Sequence, residues 1–381
     1  MSDVYHFLGH TGWRKFDIDC QDALPVSIAF MDNPSMVVSG ERNSNRPGGR
    51  LLRYHITPDP SSQRNALENL DPIDLDGIDR AVLSKDGKWI VIISGTNVTV
   101  RNMATNEVVE VEKHTSGVPV HVVDISPDST KFATGSQDKT VRIFSINTGK
   151  LLRELSQHNR SVLGVTFSPN GKYLTTAAFG DRIRVWDACD NYASLGSTQG
   201  AVYGPTPDAY VAVQSPTCIP LGWSSHGDRV FTISDGRVTI FQSSSSMSPC
   251  LPCYSLYQDP SPGTVVAFPE SIPADDNSTL YSLATNGRII ACAAGSSLSF
   301  WDTFSSSKIG PIITFQDPIL SLALSSDDSY LACGRGDKKI TVYLLRDILP
   351  LDVIIDVRVA LYWAVRTCSE FFHSLPLTFP L

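Results

Sequence analysis

HTSGVPVHVVDISPDSTKFATGSQDKTVRIFSINTGKLLRELSQ, residues 114–157, runs directly into HNRSVLGVTFSPNGKYLTTAAFGDRIRVWD, residues 158–187. The two segments are one pattern written twice. Each opens on a histidine, His114 or His158, and enters an apolar strand, Val120 to Ile125 or Val162 to Phe167. A tight turn follows, SPDST or SPNGK, and then a second strand, Lys131 to Gly135 or Tyr173 to Ala177. A second turn carries Asp138 or Asp181, and a third strand of Val, Arg and Ile ends on an aromatic, Phe144 or Trp186. The first turns begin at Ser126 and Ser168, 42 residues apart, and the two aromatics keep the same interval. A fixed period in the forties with several short strands per period marks a repeat array.

Seven units align on the first turn: MDNP at 31–34, SKDG at 84–87, SPDS at 126–129, SPNG at 168–171, SSHG at 224–227, ATNG at 284–287 and SSDD at 325–328. Asp, Asn and Gly recur there because tight turns favour side chains that bond their own backbone, or no side chain. The third strands then end at Tyr54, Arg101, Phe144, Trp186, Phe241, Trp301 and Tyr343. A flat ring at that position fills the space between neighbouring sheets, so Arg101 marks unit two as the most weakly packed. Four strands per unit fit a propeller blade.

These residues resemble the Trp-Asp (WD40) repeat family, over residues from about 20 to 350. SKDGKWIV, SPDSTKFATGSQDK, FSPNGKYL and SFWDT followed by IGPII resemble the large fungal WD40 families, which include sensor halves of incompatibility proteins. The resemblance implies an all-β, seven-bladed WD40-type β-propeller with four-stranded blades. It fills residues 1–350 as one domain, with units at about 20–56, 76–110, 114–155, 158–199, 214–258, 262–315 and 318–348. It also implies a hydrogen-bonded tetrad, carried over to His158, Thr176, Asp181 and Trp186, with partial sets at His114, Thr134 and Asp138 and at Asp337. Unit four has one residue fewer between Asp181 and Trp186 than unit three has between Asp138 and Phe144, and Phe144 cannot donate a hydrogen bond. Cys333 replaces the hydroxyl in unit seven.

Between the units lie irregular stretches. RNSNRPGGR, residues 42–50, reads as an exposed hairpin loop whose Arg42, Arg46 and Arg50 could meet an acidic or phosphorylated partner. Residues 57–76 read as a solvated linker or a short helix at 62–69. Tyr192 to Cys218 and Gln242 to Pro273 read as Pro- and Ser-rich loops projecting from the disc. Unit seven supplies three strands, so its fourth must come from elsewhere. The candidates are an N-terminal segment (Trp13 to Asp19, or Tyr5 to Leu8) and the alternating tail at 352–359, with the N-terminal segment favoured. The tail 351–381 reads as an extra strand, an amphipathic helix or loose chain, and its charges break the apolar run too often for a membrane span.

Composition narrows the function. The formal net charge of -8 argues against generic nucleic-acid binding, which draws on a positive footprint. The N-terminus has no basic and apolar leader pattern, and the eight scattered Cys suit a reducing compartment. The expected location is the cytoplasm, with the nucleus as alternative, and the sequons at Asn97, Asn159 and Asn277 are expected to stay unmodified. Cys250-Leu-Pro-Cys253 is a lone pair without the further ligands zinc requires. Gly164 to Lys172 has the wrong spacing for a phosphate loop. No metal, cofactor or catalytic set is expected. A His-Asp-Thr group invites a triad reading, but Thr176 sits in mid-strand rather than on a nucleophile elbow.

The sequence therefore reads as a non-enzymatic interaction scaffold or adaptor, a monomeric propeller within a complex of other proteins. Binding is expected on the face before the first strands, at Val26, Asp79, His121, Leu163, Ile219, Thr279 and Leu320, as a rim of exposed apolar side chains. The alternatives are the sensor propeller of a fungal incompatibility-type system, an enzyme using the central channel, and a nucleic-acid binder acting through the arginine cluster.

Overall fold

The structure is a computed structural model. It describes residues 15–20, 23–30, 36–43, 48–55, 73–75, 77–112, 117–178, 181–197, 219, 221–223, 229–234, 237–243, 253–254, 266–267, 281–285, 289–302, 307–325 and 329–350. The described elements are strands with one four-residue helix, and the strands pair into seven sheets.

The first described strand is β1 (Lys15–Asp19). Sheet one is β2 (Ala23–Phe30), β3 (Met36–Asn43), β4 (Gly49–His55) and β5 (Ile73–Leu75). Sheet two is β6 (Arg80–Leu83), β7 (Trp89–Ser94), β8 (Asn97–Asn102) and β9 (Val108–Val109). Sheet three is β10 (Val120–Ile125), β11 (Lys131–Ser136), β12 (Val141–Ser145) and β13 (Leu151–Leu155). Sheet four is β14 (Val162–Phe167), β15 (Tyr173–Ala178), β16 (Arg184–Asp187) and β17 (Ala193–Ser197).

Sheet five is β18 (Leu221–Trp223), β19 (Arg229–Ser234), β20 (Arg237–Ser243) and β21 (Cys253–Tyr254), with β22 (Val266–Ala267) also on the edge of β20. Sheet six is β23 (Tyr281–Thr285), β24 (Ile289–Ala294), β25 (Ser297–Asp302) and β26 (Ser307–Thr314). Sheet seven is β27 (Ile319–Leu324), β28 (Tyr330–Arg335) and β29 (Lys339–Leu344), followed by helix α1 (Leu345–Ile348). Its fourth strand is β1, which pairs with β29 from Lys15↔Tyr343 to Asp19↔Lys339. The N-terminal segment thus completes the last sheet. The 351–381 tail lies outside the described residues.

Each sheet is an antiparallel meander, and its first strand lies against the first strand of the next, with β27 returning to β2. The molecule is an all-β propeller with four-stranded blades. Its core is divided into clusters between adjacent sheets rather than gathered in one centre. Between sheets three and four, Val122, Ala133 and Ile143 meet Val165, Leu174 and Trp186. Between sheets seven and one, Ala332 and Val342 meet Ile28 and Tyr54.

The recurrent turn explains why the first two strands fold back. In sheet three Ser126 Oγ donates to Asp128 Oδ1 at 2.6 Å and accepts the Lys131 N–H at 3.0 Å. Ser168 does the same with Asn170 at 2.7 Å and Tyr173 at 2.9 Å, and Ser84 with Asp86 at 2.6 Å and Trp89 at 2.9 Å. Close approach between sheets also selects residues. A Cβ on Gly135 would come within 2.6 Å of Val162 Cγ1, and one on Gly334 within 2.5 Å of the Pro25 carbonyl oxygen.

The aromatic column keeps one register: Phe144 faces Phe132, Trp186 faces Leu174, Trp301 faces Ile290 and Tyr343 faces Leu331. Arg101 faces Ile90 in the same register, so sheet two places an arginine in the aromatic position. Three readings of the irregular stretches change. Ile73–Leu75 is a strand at the end of the presumed linker, and Ala193–Ser197 is the fourth strand of sheet four rather than the start of a loop. The Gln242–Pro273 stretch likewise contains β21 and β22.

Candidate functional site

Sheet four assembles a chain of hydrogen bonds from four separate elements. Trp186 on β16 donates its indole Nε1–H to Thr176 Oγ1 on β15 at 2.9 Å. Thr176 Oγ1 meets His158 Nε2 at 2.7 Å, and His158 Nδ1 meets Asp181 Oδ2 at 3.2 Å. Asp181 also accepts the backbone N–H groups of Asn159 at 3.1 Å and Arg182 at 2.8 Å. One assignment satisfies every member: Nδ1–H donates to the carboxylate, Nε2 accepts from the threonine hydroxyl, and the threonine oxygen accepts the indole N–H.

Burial lowers the pKa of His158 to about 4, with Arg184 adding to the effect and Asp181 opposing it. Burial pushes the Asp181 carboxyl up, but its hydrogen bonds with Arg182, Asn159 and His158 hold it below the usual range. The histidine is therefore a neutral relay. Thr176 is fully buried beneath the indole, which leaves its hydroxyl without room to attack a substrate. The arrangement ties the loop before β14 to both hairpins of the sheet.

Thr176 pairs with Arg184 as Thr134 pairs with Arg142, so the two hairpins have the same length and Asp181 sits one turn position later than Asp138. In sheet three Asp138 takes the Arg142 guanidinium at 2.7 Å, and Arg142 Nε reaches Glu154 at 2.8 Å. Burial alone would raise the Asp138 pKa, yet Thr140 and Arg142 hold it at about 2. Thr134 Oγ1 donates to the Arg142 carbonyl at 3.4 Å, while His114 lies outside the described residues. In sheet seven Asp337 pairs with Arg335 at 2.9 Å, and Arg335 stands over the Phe315 ring. Burial pushes the Cys333 thiol far up, which keeps it protonated and inert.

The positions aligned as a binding face share a backbone feature that sequence reasoning missed. The β2/β3 register slips between Pro25 and Ser27, β10/β11 between Val120 and Val122, β14/β15 between Val162 and Gly164, and β27/β28 between Ile319 and Ser321. Val26, His121, Leu163 and Leu320 are thus bulge residues, one in each of four first strands. A bulge re-aims its side chain and interrupts the ladder. Asp79 lies just before β6 and accepts the Gly95 N–H at 2.6 Å.

Exposure differs from the expected apolar rim. Leu163 is 8% exposed and Ile219 2%, and they pack together with Ala177 and Ile183. His121 is buried, whereas Val26, Asp79 and Leu320 are half-buried. Thr279 lies outside the described residues. So does Arg46, and Arg42 is described only as backbone of β3. Arg50 is half-buried, and its register partners are Glu41 on β3 and Asp74 on β5.

A further feature without a sequence label is Asp124 on β10. It accepts the Phe167 N–H of sheet four at 2.7 Å and the Ile125 N–H at 2.9 Å. Burial raises its pKa to about 6 against these bonds. Among the described residues no cluster of side chains could hold a metal ion, and no helix is long and apolar enough to cross a membrane.

The profile of the family "WD domain, G-beta repeat" matches residues 106–145, 149–187 and 310–343. The first two segments each begin at the outer strand of one sheet and end in the third strand of the next, so sequence repeat and sheet are staggered. The chain is 32% identical over 129 residues to Small ribosomal subunit protein RACK1 of Drosophila melanogaster, covering 33% of this chain and 38% of that protein. It is 28% identical over 205 residues to Small ribosomal subunit protein RACK1 of Caenorhabditis elegans, covering 50% and 54%. It is 29% identical over 107 residues to COMPASS component SWD3 of Saccharomyces cerevisiae, covering 28% and 34%. The matches thus span about a third to a half of those relatives' own lengths. With three matched repeats and sheets of the propeller kind, the chain carries WD40 repeats.

Proposed function

We propose that the chain is a non-enzymatic platform for partner proteins, built as one closed ring of seven blades and acting as a monomer within a larger complex. The observation that supports this best is the set of bulges at Val26, His121, Leu163 and Leu320, which interrupts the first strands of four sheets at one end. Asp79, Ile219 and Thr279 belong to the same proposed face. The tetrad holds the His158 loop at that end, so partners would meet a preorganised surface with little ordering cost. The relatives' names, a ribosomal subunit protein and a COMPASS component, are those of parts of larger assemblies. The same reading places the chain in the cytoplasm or the nucleus, and it assigns Arg42, Arg46 and Arg50 to an acidic segment of a partner.

The half-buried members of the face make the test. Val26→Arg and Leu320→Arg should keep the circular dichroism spectrum and melt within a few degrees of the parent, while losing the partners that the parent recovers in a pull-down. Leu163→Arg buries a charge among Ile183 and Ile219 and should unfold instead. Folded Val26→Arg and Leu320→Arg proteins that recover every partner would remove the face assignment.

A further inference from the structure

At the opposite end of the first strands, a cleft of about 350 Å³ opens between the turns of sheets three and four. Pro127 and Phe167 wall it, Asp128, Lys131 and Asn170 line it with polar groups, and Tyr192 completes it. Tyr192 is 6% exposed, with its ring packed against the core between the two sheets and its backbone held at φ 58. Its hydroxyl is buried and has no hydrogen-bond partner among the described residues. A buried hydroxyl normally finds a partner, so one left unpaired beside a cleft points to a missing group.

The missing group should donate hydrogen bonds and carry positive charge. The Tyr192 pKa is raised to about 12, first by burial and then by the Asp128 carboxylate and Cys189. The phenol oxygen thus lies in the negative field of Asp128. The hydrogen bonds that Asp128 makes within its turn all fall on Oδ1: Ser126 Oγ at 2.6 Å, Thr130 N at 3.0 Å and Thr130 Oγ1 at 2.8 Å. Asn170 Oδ1 likewise accepts from Ser168 Oγ and the Lys172 N–H. Asp128 Oδ2 is left for an outside donor.

We propose that this cleft receives the guanidinium of an arginine from a partner protein. The aliphatic stem would lie between Pro127 and Phe167, and the planar N–H fork would be shared by Asp128 Oδ2 and the Tyr192 oxygen. Guanidinium supplies several donors in one plane and keeps its charge when partly desolvated, which suits a carboxylate and a phenol on one side. Lys131 opposes the incoming charge, so its removal should tighten binding. The proposal rests on the platform reading but not on the bulge face, so arginine binding should survive Leu320→Arg.

The test titrates the full chain, labelled for NMR, with acetyl-Gly-Arg-Gly-amide and with the same peptide carrying norleucine or glutamate in place of arginine. The arginine peptide should give saturable shifts at the Phe167 and Gly171 amides. Asp128→Asn, which keeps the Oδ1 acceptor of the turn, should weaken binding about tenfold, the order expected for losing one charge near a surface. Tyr192→Phe should weaken it severalfold and Lys131→Met should strengthen it. The proposal is overturned by no saturable shift, by equal binding of the norleucine or glutamate peptide, or by an unchanged affinity in Asp128→Asn. If the cleft fails while Leu320→Arg still abolishes partner recovery, the platform reading stands without it.

Discussion

Trp186→Phe tests the tetrad most directly. The indole is 1% exposed and fills the space between sheets three and four, so phenylalanine retains most of the apolar contact. What it removes is the 2.9 Å bond to Thr176 Oγ1. A neutral hydrogen bond contributes about 1 kcal/mol net. The smaller ring also leaves a void, at a cost on the order of 1 kcal/mol. The sum is about 2 kcal/mol. Because the unfolding entropy scales with length, that corresponds to a fall of about 3 °C in the melting midpoint of a propeller of this size. Thr176→Val should cost more, since it strands both the indole N–H and His158 Nε2 in a buried site. Urea unfolding of both single variants and the double variant closes the cycle, with a coupling of about 1 kcal/mol expected for groups in direct contact. A Trp186→Phe protein as stable as the parent, or a strictly additive cycle, would refute the proposition that this bond supports the sheet.

Two further predictions concern charge and closure. His158 has its folded pKa depressed from 6.5 to about 4, so the unfolded chain binds the extra proton first as pH falls. Its contribution is fully present above pH 6.5 and is lost as pH falls through that window, and His158→Gln should flatten the stability profile measured there by urea titration. Deleting residues 1–19 removes β1, including the 2.6 Å bond from Thr341 Oγ1 to Asp17, and should lower the midpoint sharply, whereas deleting 351–381 should leave a cooperative melt. The opposite pattern by calorimetry would assign closure to the tail.

The sequence was most legible where chemistry is local. Ser126, Asp128, Ser168 and Asn170 are turn formers with their own backbone partners, and they appear in order along the chain. The aromatic column was legible for the same reason, and Arg101 keeps its register despite its chemistry. Outer strands were harder to see. Leu151 to Glu154 on β13 are all exposed, and an edge strand that buries almost nothing has no alternation to betray it. Ala193–Ser197, with Ala193 and Ser194 exposed, escapes a sequence reading on that account. The bulges at His121 and Leu163 left no signal because an extra residue in a strand changes pairing, not composition. The exposure of Leu163 was misjudged with them, since a bulged residue need not follow the alternation of its strand. Asp124 was visible as an acid in an apolar strand, but its partner, the Phe167 amide, lies in the next sheet.

The pairing of β1 with β29 has a consequence for how the protein is made. Asp19 leaves the ribosome about 320 residues before Lys339, its partner across the strand pair. At translation rates of about 5–20 residues per second, that gap lasts on the order of tens of seconds. During that time β1 has no sheet to join, while the clusters between sheets one and six can form in order as their strands emerge. The incomplete ring then presents two open flanks, the outer face of β2 and the free edge of the newest sheet. An unpaired strand edge is a template for pairing with another chain. The nascent propeller is therefore most exposed to association with its neighbours on the polysome, and that exposure ends only when the last repeat has been synthesised and the first strand closes onto it.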